Sequence, residues 1–249
     1  MTPAPVGHHC PECVARDRRE TRRIRPRLPR GLSVTMVLLG INVGVYLLGV
    51  LLGAATGDRG AFLRAGQMIP ARVAQGEWWR LLTAMFLHIS TLHLLLNSLA
   101  LYIFGAMVES AFGRLRFLAL YLLTGFAGSA ASFAFGNPAI AAAGASGAIF
   151  GLLGAWLAYN LRRHSLSLAR SNVQGALMLI GLNLVLGFTL PGIDNLAHIG
   201  GLVAGIAAGA AAEGFGRRAM RTLTQAGGLA IIALASATLV VWRVADLTS

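Results

Sequence analysis

Two side chains in this sequence combine naturally into one reaction. Ser146, in Gly144-Ala145-Ser146-Gly147, offers a hydroxyl, and His198, in Ala197-His198-Ile199-Gly200, offers an imidazole; both sit in apolar, small-residue surroundings. A serine hydroxyl becomes a nucleophile when a neighbouring imidazole takes its proton, so the pair suits acyl transfer. His93 and Asn97 are four apart and share one helix face. They could aim hydrogen-bond donors at a carbonyl oxygen gaining charge, or they could clamp two helices together. Ser146 has a plainer alternative too, because Gly and Ser are common packing residues in membrane helices.

A third catalytic member would be an Asp or Glu orienting the imidazole. Of the nine acids only Asp194, four residues before His198, is near a candidate base. It follows Pro191-Gly192 at a helix start, where capping is the expected role, so the sequence points to a Ser-His dyad. The remaining ligand-type cluster is Cys10 and Cys13 beside His8 and His9 in the basic tail. Thiolates and imidazoles at that spacing could hold zinc, or the cysteines are simply reduced thiols in a disordered tail. No other metal or cofactor is expected.

These groups must be positioned by elements that the composition restricts. Of 249 residues, 56% are hydrophobic and 12% charged, and a bilayer-spanning helix needs about 20 mostly apolar residues. Seven apolar runs qualify as candidate spans, near 33–55, 86–108, 115–135, 144–161, 173–190, 195–213 and 225–244. The expected fold is all-α, a polytopic membrane helix bundle. The net charge of +12 could suggest nucleic acid, but the arginines fall in the tail and in alternate loops, at Arg114 and Arg116, at Arg162, Arg163 and Arg170, and at Arg217, Arg218 and Arg221. That is the distribution of cytoplasmic loops, and it excludes nucleic acid in favour of the lipid bilayer as partner. It predicts a cytoplasmic N-terminus and, with seven spans, a C-terminus outside. No cleavable signal peptide is expected, because thirty polar, arginine-rich residues precede the first apolar run. The 56–85 segment carries Trp78 and Trp79 and reads as an outside loop partly embedded at the bilayer surface.

Polar residues inside spans are costly and mark function by default. They are His88, His93 and Asn97 near the start of span two, Ser146 at the start of span four, Asn183 in span five and His198 in span six. At about 100° per residue, Gly201, Gly205, Gly209 and Ala212 fall on the face of His198. Span four has a small-residue stripe of its own at Gly144, Gly147, Gly151 and Gly154. Two helices meeting on such stripes would bring hydroxyl and imidazole into reach.

Together, the G-x-S-G serine, the A-H-x-G histidine and the His93-x-x-x-Asn97 pair resemble the rhomboid family of intramembrane serine proteases. The resemblance extends to Trp79-Arg80 and to Glu109 with Gly113, and covers roughly residues 33–213. It implies a six-helix protease core there; the loop and seventh transmembrane helix over 214–249 look like the added C-terminal helix of one branch of the family, and the basic cytoplasmic tail over 1–32 lies outside the match. It further implies that Ser146 attacks the scissile carbonyl, that His198 moves the proton, and that His93, Asn97 and the Ser146 amide hold the oxyanion. His88 corresponds to another frequent family histidine, and Phe150 stands where relatives often have a Tyr stacked under the histidine ring. The implied partners are single-span transmembrane protein substrates, cleaved near the outer face of what is expected to be the plasma (inner) membrane. The alternatives are an inactive rhomboid-like protein that binds membrane clients, which would be expected to lack the serine or the histidine, and a transporter, which would be expected to place charges inside its spans.

Overall fold

The computed structural model describes residues 2–3, 8–9, 33–58, 60–163, 167–189, 192–213 and 218–248. It divides into two compact units, Met1–Leu32 and Ser33–Ser249. In the first, two-residue strands β1 (Thr2–Pro3) and β2 (His8–His9) pair antiparallel, Thr2 opposite His9. Cys10 and Cys13 lie outside the described residues.

The second unit is helical. Helix α1 spans Val34–Thr56 and ends on Gly57 in the left-handed region at φ 74°, the common glycine stop. Three short helices follow, α2 (Ala61–Gly66), α3 (Pro70–Ala74) and α4 (Arg80–Thr83). Then come α5 (Thr91–Phe112), with a π turn at Leu101–Gly105, and α6 (Arg114–Phe135). Next are α7 (Ser146–Leu161), α8 (Ser167–Thr189), α9 (Asn195–Glu213) and α10 (Arg218–Thr248). Helices α1, α5, α6, α8, α9 and α10 are long and apolar enough to cross a membrane. Helix α7 is the exception: its 16 residues reach only about 24 Å, short of the roughly 30 Å hydrocarbon core.

Two boundaries differ from the apolar runs. Span two was expected from residue 86, but α5 begins at Thr91, because Ser90 is its N-cap and accepts from His93 N at 3.2 Å. Ala84–Phe86 instead form a 3₁₀ turn and Leu87 is extended, so His88 lies in the connector and not on the helix. Span four was expected from 144, but Gly144 has φ 138°, a conformation that side chains with a Cβ rarely adopt. The helix starts two residues later, and Gly144 leaves the small-residue stripe.

The stripe that remains sets the packing of α9 on α7. A Cβ on Gly201 or Gly205 would overlap the carbonyl oxygens of Gly147 or Gly151, and one on Gly209 would lie 2.6 Å from Ala155 Cα. Backbone therefore meets backbone along this seam, the approach that small residues permit in membrane bundles. Gly151 itself faces Thr124 of α6. At the start of α1, the buried Glu109 carboxylate accepts from Val34 N and Thr35 N, both at 2.9 Å, and from the Ser33 and Thr35 hydroxyls, both at 2.7 Å. It satisfies orphan amides of the first turn and carries the charge that a helix N-terminus favours.

The segment between α1 and α5 is folded around Arg80, which is 5% exposed. Its Nη1 donates to Arg64 O at 2.8 Å and Gln67 O at 3.0 Å, and its Nε donates to Glu77 Oε2 at 2.6 Å. The Arg80 hydrogen bond holds the Glu77 carboxyl below its ordinary range. Trp78 and Trp79 stay exposed beside it.

Candidate active site

The site forms where α7 begins. The first amides of a helix have no partner within it, and those of α7 belong to Ser146, Gly147 and Ala148. The turn entering the helix is pinned from outside: Gly144 N donates to Ala84 O at 2.9 Å, and Met68 and Ala142 exchange two backbone hydrogen bonds, each of 2.9 Å. A half-buried serine thus stands at the positive end of a helix whose approach is fixed by backbone.

His198 is 6% exposed, and its ring stacks on that of Phe150 with centroids 4.2 Å apart and planes 6° from parallel. Phe150 lies four residues, about one turn, after Ser146, so the two share a face of α7. The stack sets the plane and depth of the imidazole, and the glycine seam sets the height of α9 against α7. Ser146 and Ala197, the neighbour of His198, line the same cavity of about 30 Å³ with Gly144, Ser129, Met85 and Asp194. That is room for about one or two waters.

Helix α5 brings the second pair. The His93 ring lies over the Gly144 backbone: a Cβ there would come within 2.7 Å of its Cε1 and Nε2 and 3.8 Å of Ser146 Oγ. Only glycine leaves room for the imidazole at that height. Asn97 is buried one turn on, where its Nδ2 donates to His93 O at 2.9 Å. His88, 3% exposed, meets the edge of the His93 ring at 5.2 Å and 65°. The structure therefore brings together Ser146, His198, Phe150, Gly144, His93 and His88 at one end of the bundle, with Asn97 beneath His93.

Polar atoms are buried at the site. Among the described residues, His198 Nδ1 and His93 Nδ1 are buried with no protein hydrogen-bond partner. Asp194 is occupied elsewhere: Oδ1 accepts from Ala197 N at 3.0 Å, capping α9, and Oδ2 accepts from Ser132 Oγ of α6 at 2.5 Å. No three His, Cys, Asp or Glu side chains among the described residues group as a metal site.

Several contributors escape a reading of the sequence. The Ala84 carbonyl and the Met68–Ala142 bridge act through backbone and leave no residue-type signal. Ser132 was visible only as one of two serines in the Ser-Ala-Ala-Ser run of α6, and its partner 62 positions away could not be known.

A family model described as the Rhomboid domain matches residues 75–213, more than half of the chain. The chain is 41% identical over 191 residues to the rhomboid protease GluP of Bacillus subtilis, an alignment covering 75% of this chain and 37% of that protein. It is 35% identical over 133 residues to the putative rhomboid protease YdcA of the same organism, covering 53% and 66%. It is 42% identical over 140 residues to the mitochondrial RHOMBOID-like protein 6 of Arabidopsis thaliana, covering 55% and 45%. The chain thus spans less than half the length of the first and third of these relatives.

Proposed function

The chain belongs to the rhomboid family and is an integral, multi-pass membrane protein, and we propose that it is an intramembrane serine endopeptidase with Ser146 as nucleophile and His198 as general base. The observation that carries this reading is the stack of His198 on Phe150, one turn from a serine that opens α7. Ser146 Oγ attacks the scissile carbonyl carbon while its proton passes to the His198 imidazole. The carbonyl electrons move to oxygen, where His93, the Ser146 amide and the second N–H of Asn97 meet the negative charge. The C–N bond then breaks, His198 returns the proton to the leaving amine, and water repeats the exchange on the acyl-enzyme. No hydrogen bond joins Ser146 to His198 among the described residues; such bonds often close only around a substrate.

The substrates are single-span membrane proteins cut near the outer face, with the N-terminus of the enzyme cytoplasmic and its C-terminus outside the plasma (inner) membrane. The retention of both Ser146 and His198 favours this reading over a client-binding protein without activity. Purified full-length protein, incubated in lipid with a single-span reporter, should cleave it, and Ser146→Ala or His198→Ala should lower kcat by about 10⁴-fold or more. Wild-type turnover in the Ser146→Ala protein would overturn the mechanism.

A further inference from the structure

The last helix, α10, shares no residue with the site, yet one of its side chains is buried in a cluster that includes parts holding the site in place. Val240 is 5% exposed in an apolar cluster with Met68, Val73, Leu81 and Ala84, and Ala142 packs onto that cluster from the turn before α7. Two members of this cluster are the anchors of the entry to α7: Met68 pairs with Ala142, and Ala84 O receives Gly144 N. Gly144 in turn carries the His93 ring and lies two residues before Ser146. Flanking contacts fix the height of Val240: Trp242 meets Phe135 of α6 with ring centroids 6.1 Å apart, and Val244 packs on the same cluster.

Resting on the protease reading above, we propose that Val240 is a positioning residue for the reaction, holding the Gly144–Ser146 entry and the His93 ring in register by completing the apolar cluster to which Met68 and Ala84 belong. Helix α10 is then a buttress of the active site and not only a membrane anchor. Truncating Val240 leaves a gap in the cluster that holds Met68 and Ala84, and its remaining members can shift into it. The displacement this allows at Ser146 is small, but misplacement of a reacting atom by about 1 Å can cost on the order of 10²-fold in rate.

The test uses full-length protein in nanodiscs and four variants. Val240→Ala should lower kcat about tenfold at nearly constant KM, and Val240→Ile should restore it. Val241→Ala, changing the exposed neighbour, should leave kcat unchanged. Gly228→Ala is the structural control: it disturbs α10 about 18 Å away, where a new Cβ would meet Ala211 Cβ at 2.5 Å. It should lower Tm without lowering kcat measured well below Tm. Amide exchange at Ala142 and Gly144 should accelerate in Val240→Ala alone, a readout independent of any cleavage. A kcat for Val240→Ala equal to wild type, a matching loss in Gly228→Ala, or unchanged exchange at both amides would overturn the proposal. A wild type that cleaves no reporter would instead sink the protease reading, leaving the buttress to be judged by the exchange rates.

Discussion

Helices α8 and α9 follow one another in the chain, each has a mean hydropathy of 1.4 over its most apolar window, and they differ little in length, yet 44% of that window is buried in α9 against 11% in α8. Hydropathy places a helix in a bilayer; it does not decide what the helix touches. In α9 the glycines at 201, 205 and 209 meet the backbone of α7, whereas Gly175 and Gly181 of α8 have nothing within 4 Å of where a Cβ would stand. Lipid is as apolar as leucine, so association inside a membrane rests on close fit. The helix with small residues aligned on a facing backbone becomes the core, and the one without stays at the edge.

The harshest way to break this contrast is Gly205→Val. Its Cβ would overlap the Gly151 carbonyl, and the overpacking should cost about 3 kcal/mol or more, seen as lost folded protein or a large fall in Tm. Gly181→Val, the same change on α8, should cost no more than about 1 kcal/mol. Equal losses would mean that the seam is not what separates the helices.

Asn97→Ala moves the question to α5, which is 28% buried over its apolar window but delivers two polar groups to the site. A lost oxyanion donor is typically worth about 10²–10³-fold in kcat; with His93 and the Ser146 amide remaining, a loss near the lower end is expected, at nearly constant KM. A melting point that falls enough to explain the lost turnover would make Asn97 a helix clamp.

Phe150 stands between the contrasted regions, clustered with Ile180 and Leu184 of α8 and stacked on His198 of α9. Phe150→Leu keeps most of the apolar volume and removes the stack. An aromatic pair is worth about 0.5–1.5 kcal/mol, so kcat should fall by up to about tenfold while Tm changes little. The smallest effect belongs to Asn183→Leu on α8. Its side chain is exposed and bonds only Leu179 O of its own helix, at 2.9 Å, and Tm and kcat should both stay near wild type, within about 0.5 kcal/mol.

Much of this is legible in the sequence, and the rest has separate physical causes. Apolar runs located every long helix, and the Gly201, Gly205 and Gly209 periodicity pointed to the correct face of α9, because both signals are local and repeat many times. The resemblance put an aromatic ring beneath His198, and Phe150 is there. The start of α5 differs because the apolar run continues through residues 86–89 and hides a local cap, Ser90; the start of α7 differs because a tertiary partner sets it, Gly144 being turned by the Ala84 carbonyl, 60 positions earlier. His88, two residues before that cap, falls off the helix with it. The loose fit of α8 was invisible too, since its composition resembles that of its neighbour and only the facing surfaces differ.

The carboxylate of Glu109 at the head of α1 also sets an order of events during synthesis. The amide of Thr35 and the acid that accepts from it are 74 positions apart, a stretch that a ribosome translating about 5–20 residues per second completes in roughly 4–15 s. Throughout that interval the head of α1 must be served by water or lipid headgroups, because its acceptor does not yet exist. The first helix therefore enters the bilayer unfastened and is latched by the last turn of the second.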